Sequence, residues 1–130
     1  MNRIMAKTGI FVMFIAFLTI ALMPSCRKES PTVAVITVVD TSGTVFKNAT
    51  VRLYPEPSIN PHPGITIDDT LISNTDGKAS FDYTDRFNLG QAGFAVLDIE
   101  VWSGDTLYGT GIIKVEAEET SEETVIILPV

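Results

Sequence analysis

Cysteine and histidine are nearly absent from this 130-residue chain, which contains one of each, Cys26 and His62. A single cysteine excludes an intrachain disulfide and supplies too few thiolates for a metal cluster. His62 lies between Pro61 and Pro63, where an imidazole held in the fixed orientation of a catalytic triad is not expected, so we interpret it as a solvated loop residue. With no second histidine, good zinc ligands are also too few. The sequence therefore predicts no enzyme activity, no metal site and no cofactor.

Basic residues are scarce as well. Nine lysines and arginines stand against 16 acidic residues, which gives a formal net charge of −7. The basic residues beyond position 26 are scattered, whereas binding to a phosphate backbone requires clustered Lys and Arg. This composition predicts no nucleic-acid partner.

Acidic pairs and runs are the remaining source of metal ligands, because hard cations such as calcium accept carboxylate oxygens. None of them has the spacing of a calcium loop, so we interpret them as strand ends and solvated turns. These candidates are Asp68 with Asp69, Asp82 with Asp85, and the run from Glu116 to Glu123.

An apolar stretch near the start of the chain contrasts with this acidic composition. Residues 1–9 carry Arg3 and Lys7 and no acid, and residues 10–23 are uncharged and almost wholly apolar. A basic n-region followed by an apolar h-region is typical of a signal peptide. The apolar stretch is shorter than the roughly 20 residues that span a bilayer, and Pro24 ends it. We therefore expect a cleaved signal-peptide helix in preference to a permanent transmembrane helix.

The segment Leu22-Met23-Pro24-Ser25-Cys26 resembles a lipobox, the cleavage site of bacterial lipoproteins. The resemblance implies cleavage before Cys26 and acylation of its thiol, so that membrane lipid is a partner. Each buried methylene of an acyl chain contributes roughly 0.8 kcal/mol, and two or three chains would hold the protein on a bilayer almost permanently. The expected location is the bacterial cell envelope, at the outer membrane, with the leaflet left open. The alternative is an ordinary secretory signal followed by an incidental thiol.

This interpretation divides the chain into three parts. Residues 1–25 are the lipoprotein signal peptide, residues 26–31 are the lipidated cysteine with a short tether, and residues 32–130 are one folded domain. The part from Cys26 onward keeps 7 of the basic residues and all 16 acidic ones, a net charge of −9.

Beyond Pro31 the chain consists of short β-branched and aromatic runs separated by Gly, Pro, Asn and Asp, with no clear helical period. Asn74-Thr75-Asp76-Gly77 predicts a hairpin turn, and the proline-rich residues 55–64 predict an exposed loop. The pattern predicts an all-β domain, a seven-stranded Greek-key sandwich with immunoglobulin-like topology as the leading type. The expected strands are 32–39, 49–54, 65–73, 78–84, 92–102, 106–116 and 124–128.

Two segments, VITVVDTSGTVFKNATVRLY from Val35 and NTDGKASFDY from Asn74, resemble the carboxypeptidase-regulatory-like and transthyretin-like sandwich domains. The matching positions are turn formers and core residues, so the resemblance implies a fold and no chemistry. It implies a scaffolding, spacing or binding module of envelope proteins. The matching residues are Asp40, Gly43, Val45, Asn48, Ala49, Val51, Leu53, Thr75, Asp76, Gly77 and Phe81.

A candidate ligand-binding surface comes from three aromatic residues. Trp102 falls on the polar face of its predicted strand, and with Tyr54 and Tyr108 it could form a platform for sugar or peptide. The alternative is that these side chains cover the end of a sheet. Gly109 and Gly111 lie inside a strand pattern, which indicates a β-bulge or close packing and no phosphate loop.

These observations favour a non-enzymatic, membrane-anchored envelope lipoprotein that acts as an interaction or structural module. One alternative is a carbohydrate- or peptide-binding surface protein. Another is a subunit of a surface fibre or adhesin, because edge strands pair readily and residues 124–130 lie at the end of the chain.

Overall fold

The computed structural model describes residues 29–55, 67–86 and 93–130, together with Lys7, Gly9, Ile10 and Met13, which are helical. The rest of the expected signal peptide, Cys26 and His62 lie outside the described residues. No helix among the described residues is long and apolar enough to cross a membrane. The strands are β1 (Val33–Val39), β2 (Thr50–Tyr54), β3 (Asp69–Ile72), β4 (Lys78–Asp82), β5 (Phe94–Ser103), β6 (Leu107–Glu116), β7 (Thr120–Ile126) and β8 (Leu128–Pro129).

The strands form two sheets, a small one with the order β4-β1-β7 and a large one with the order β3-β2-β5-β6-β8. Neighbours are antiparallel except β1 and β7, which are parallel. The all-β prediction is confirmed, and two sheets enclosing one core are consistent with a β-sandwich. The expected count of seven is wrong for the described residues, which contain eight strands. The Greek-key topology stays a prediction.

The additional strand arises where the chain passes from one sheet to the other. β7 pairs with β1 over seven residues, from Val33 opposite Thr120 to Val39 opposite Ile126. The buried Ile127 then donates its N–H to the Val39 carbonyl at 2.9 Å, and the next residues pair with β6. The final segment thus closes one side of the sandwich by belonging to both sheets.

The sequence predicted that the acidic run, residues 116–123, forms a solvated turn, and the structure corrects this prediction. The turn covers only residues 117–119, with Glu118 at a φ of 60°, and β7 begins at Thr120. Glu122 and Glu123 therefore lie in a strand. They are tolerated because β7 is an edge strand whose hydrogen bonds come from the backbone of β1, while its exposed positions face water.

The core is built from alternate residues of the strands, as the period of two requires. Every second residue of β1 is buried, and β2 and β5 follow the same alternation. The buried apolar cluster includes Ala34, Ile36, Val38, Val51, Leu53, Leu97, Ile99, Val101, Ile113, Val115 and Val125.

Ser73 and Gly77 flank the turn between β3 and β4. The buried Ser73 hydroxyl accepts the Ala49 N–H at 3.0 Å and donates to the Phe46 carbonyl at 2.9 Å. Gly77 has a φ of 72°, and a Cβ there would lie 2.8 Å from the Val38 carbonyl oxygen. The sequence correctly predicted this turn. Its prediction that the two flanking strands pair as a hairpin is wrong, because β3 pairs with β2 and β4 pairs with β1. The turn connects the two sheets.

Close packing explains the two glycines of β6. Gly109 pairs with Val101 and Gly111 with Ile99 in an uninterrupted register, so there is no bulge at these positions. A Cβ on Gly109 would lie 2.5 Å from the Ile126 carbonyl oxygen. Of the two explanations that the sequence left open, close approach of β6 and β7 is the correct one.

Gly109→Ala should destabilise the domain by about 1–3 kcal/mol, because the added methyl group meets backbone that cannot rotate away. Urea unfolding monitored by circular dichroism measures this loss. Gly111→Ala is the matched control, since its Cβ would meet the Val125 side chain at 3.1 Å and no backbone. Equal losses for the two variants would contradict the close approach of Gly109 to β7.

Candidate binding face

The outer face of the large sheet, which points away from the core, carries all three aromatic residues singled out from the sequence. Tyr54 lies on β2, Trp102 on β5 and Tyr108 on β6, each at a position that alternates with buried residues. Trp102 and Tyr54 are half-buried, and Tyr108 is 40% exposed. The large sheet therefore places the predicted residues on one surface.

Trp102 and Tyr108 are direct neighbours on this face. They are opposite each other in the β5–β6 ladder, and Leu128 of β8 is opposite Tyr108 on its other side. Thr50 lies beside Trp102, and Ile72, 66% exposed, follows on β3. We call Ile72, Trp102, Tyr108 and Leu128 the aromatic end of the face. Side chains directly opposite in antiparallel strands are within contact range, so these residues form a continuous surface across the sheet.

Tyr54 is not part of the aromatic end. It pairs with Asp98, four residues along β5 from Trp102, which corresponds to about 13 Å. The Arg52 guanidinium carbon lies 4.5 Å from the centre of its ring, an arrangement that favours the cation electrostatically. The structure thus separates the predicted three-residue platform into a pair, Trp102 with Tyr108, and a single tyrosine further along the face.

A charged network connects these two parts. Arg52 donates to both oxygens of Asp68, Nε to Oδ1 at 2.8 Å and Nη2 to Oδ2 at 2.9 Å. Its remaining terminal nitrogen, Nη1, donates to Glu100 Oε2 at 3.2 Å, and the Tyr108 hydroxyl donates to Glu100 Oε1 at 3.1 Å. Because the partners are partly exposed, the network contributes little to folding stability, but it orients Tyr108 and fixes Arg52.

The carboxylates of this face influence the tyrosines. Burial raises the pKa of Tyr54, and the negative charges of Glu100 and Asp98 raise it further. Burial and the hydrogen bond to Glu100 likewise raise the pKa of Tyr108. Hydrogen bonding to Arg52 lowers the pKa of Asp68. At neutral pH the face therefore carries protonated phenols, which can donate hydrogen bonds, and the ionised carboxylate of Asp68.

The other end of the same face carries apolar residues that the sequence analysis missed. Phe94, Val96 and Ile112 are exposed, and Lys114 places its ammonium group 4.8 Å from the centre of the Phe94 ring. Phe94 and Val96 alternate with the inward-facing residues of β5 in the same way as Asp98 and Glu100, so this alternation in the sequence could have identified them. Ile112 lies opposite Asp98 in the β5–β6 ladder, a pairing that the sequence alone does not show.

Three of the acidic candidates for metal binding form ion pairs. Asp68 pairs with Arg52, Asp69 with Arg86 at 2.6 Å, and Glu116 with Lys114 at 2.6 Å. Within residues 29–55, 67–86 and 93–130, no three His, Cys, Asp or Glu side chains are grouped so as to hold a metal ion.

Comparison with known proteins relates the chain to a fold. No family model matches it, and neither does any curated protein. Among solved structures it is similar to 3-chlorocatechol 1,2-dioxygenase from Rhodococcus opacus 1CP, with a TM-score of 0.50 and 11% sequence identity. The alignment covers 83% of this chain and 63% of the dioxygenase, so the chain spans less than two thirds of that protein. At this identity the similarity concerns the fold alone.

The fold and the face define the class as a β-rich protein of two packed sheets with an exposed, partly aromatic sheet surface. The finer resemblance to carboxypeptidase-regulatory-like domains stays a prediction, as do the lipoprotein signal and the acylated cysteine.

Glu100→Gln should lower the pKa values of Tyr54 and Tyr108, because it removes a negative charge that both phenols sense. Near-ultraviolet absorbance of tyrosinate during an alkaline titration measures the shift. Glu122→Gln on β7 is the matched control. Unchanged midpoints in Glu100→Gln would contradict the contact between Glu100 and the tyrosines.

Proposed function

We propose that this protein is a non-enzymatic envelope lipoprotein, anchored through an acylated Cys26, whose β-sandwich acts as an interaction or structural module. The observation that carries the proposal is the lipobox-like sequence ending at the only cysteine, directly after an apolar segment. A thiol at this place is difficult to explain as a structural residue, since no disulfide can form within the chain.

The orientation of the sandwich supports an outward-facing module. The chain enters β1 at Val33, whose N–H donates to the Glu119 carbonyl at 3.0 Å, so the tether reaches the end of the sandwich that holds the acidic turn. The aromatic end lies near the other end of β1, because its residue Leu128 follows Ile127, whose N–H donates to the carbonyl of Val39, the last residue of β1. A seven-residue strand is about 23 Å long. An anchor at Cys26 would therefore hold the aromatic end away from the bilayer.

Binding of carbohydrate or peptide by the outer face is the second candidate function. Exposed apolar and aromatic side chains occur at both ends of this face, with hydrogen-bonding groups between them. A contiguous apolar surface bordered by polar residues is typical of an interaction site, and a tryptophan beside a tyrosine offers a flat surface for a sugar ring or a peptide side chain.

The fibre or adhesin alternative has less support, because its donor strand is already in use. Residues 120–129 pair with β1 and β6 of the same domain, so an intermolecular exchange would first have to break both pairings.

Cys26→Ala should release the protein from the membrane, because it removes the only acylation site. Intact mass and membrane fractionation of the native protein and this variant, expressed in a Gram-negative host, provide the measurement. We expect a native protein that starts at residue 26 with added acyl mass. Ser30→Ala, which retains both the thiol and the lipobox-like segment, is the matched control. A native protein without acyl mass would contradict the anchor.

Trp102→Ala and Tyr108→Ala should each weaken ligand binding about tenfold, since an aromatic contact contributes roughly 1 kcal/mol beyond the area it buries. Tryptophan fluorescence titrations of the wild type against panels of glycans and peptides identify the ligand, and calorimetry compares the variants. Ile126→Ala, an exposed position on β7 of the small sheet, is the control. Fluorescence that stays unchanged across both panels would argue against the aromatic end as a binding site.

A further inference from the structure

A cleft separates β3 and β4, on the side of the sandwich opposite the closure made by β7 and β8. These two strands are consecutive in the chain, but each is the outermost strand of a different sheet. The cleft has a volume of about 240 Å³, and we call it the edge cleft. The lining residues used below are Asp69, Leu71, Ser80, Asp82, Tyr83 and Arg86.

Tyr83 contributes a buried hydroxyl group to this region. The side chain is only 1% exposed, and its hydroxyl oxygen has no hydrogen-bond partner within the part of the chain that the structure describes. A buried hydroxyl without a partner reduces stability, so its presence needs an explanation. Burial and the charge of Asp69 raise the pKa of Tyr83, which keeps the phenol protonated at neutral pH. The group is thus available as a hydrogen-bond donor.

Backbone groups along β4 also face the edge cleft. In the ladder between β1 and β4, the Val38 N–H donates to the Gly77 carbonyl at 2.7 Å, and the Tyr83 N–H donates to the Thr32 carbonyl at 2.8 Å. Hydrogen bonding alternates along an antiparallel strand, so the N–H and C=O groups of Ser80 and Asp82 point away from β1. An edge of this kind is a template for one more strand.

The charges of the edge cleft disfavour an anionic ligand. Arg86 is paired with Asp69 at 2.6 Å, whereas the Asp82 carboxylate accepts hydrogen bonds from the neutral Thr84 hydroxyl and N–H. One cation beside two carboxylates leaves a net negative charge, which repels an anion. Leu71 lies on the core-facing side of β3, opposite the buried Val51, but it is 40% exposed. It offers apolar contact to a ligand side chain.

We propose that the edge cleft binds an extended peptide segment without acidic side chains, which pairs with the backbone of Ser80 and Asp82 and accepts a hydrogen bond from the Tyr83 hydroxyl. Peptide backbone is the ligand that supplies neutral donors and acceptors at the spacing of a strand edge. This site is distinct from the outer face of the large sheet, so the proposal can be tested independently of the proposed function.

Nuclear magnetic resonance titration of the ¹⁵N-labelled domain with the blocked tripeptide N-acetyl-Ala-Val-Ala-amide tests the proposal. We expect shifts of the Ser80 and Asp82 amide resonances that saturate with added peptide. Methyl glucoside and acetate, added as probes of a sugar and of an anion, should not shift these amides. Saturable shifts with either of them instead, or no shift with the tripeptide up to its solubility limit, would overturn the proposal.

Tyr83→Phe separates a binding role from a purely structural one. It should raise the melting temperature, because it removes the unpartnered hydroxyl, and raise the dissociation constant of the tripeptide roughly three- to tenfold, the equivalent of one hydrogen bond. A stabilised variant with unchanged affinity would overturn the role of Tyr83. Ser80→Pro removes an N–H on the cleft side only; a folded variant that still binds the tripeptide would overturn pairing along β4.

Discussion

The architecture depends on the hydroxyl group of Ser73. It satisfies the buried Ala49 amide directly before β2 and the half-buried Phe46 carbonyl in the segment preceding it. Leaving either group unpaired would cost about 1–3 kcal/mol, a large share of the 5–15 kcal/mol that typically stabilises a domain. The same contact fixes where β3 ends. Together with the close approach of Gly77 to Val38, it directs β4 into the other sheet.

That change of direction has two effects on the rest of the molecule. It brings β4 beside β1, which then accepts β7 on its other side and completes the small sheet. It also prevents β3 and β4 from pairing, and so leaves the edge cleft between them. A hairpin at the same turn would have joined these two edges within one sheet.

Local patterns in the sequence predicted much of the fold. Alternation located β2 and β5 within a few residues, and the β-branched run located β1. Pairing partners were the part that failed, because Asp76-Gly77 specifies a tight turn but not which strand lies beside the next one. The predicted last strand began at residue 124, four residues after the start of β7, for a related reason. The glutamates of β7 give no apolar signal, and this strand is stabilised by parallel pairing with a strand that is remote in the sequence.

The same distinction applies to the candidate face. Trp102 was correctly placed on the polar side of its strand, since parity within a strand is a local property. The separation of Tyr54 from Trp102, and the contacts of Arg52 with Asp68 and Glu100, depend on the register between β2, β3 and β5. No short-range pattern contains that register. Tyr83 is comparable: alternation places it on the same face of its strand as Ala79 and Phe81, and only the packing reveals a hydroxyl without a partner among the described residues.

The parallel ladder between β1 and β7 has a consequence for the order in which the chain can fold. Its first pair joins Val33 to Thr120, residues 87 positions apart, so the earliest strand to be synthesised waits for one of the last. Contacts of such long range slow folding, because the intervening loop must close before any of them forms. Until then one flank of β1 stays uncovered. A growing chain therefore passes through a period in which its first strand can pair with another molecule, and this hazard ends only when β7 becomes available.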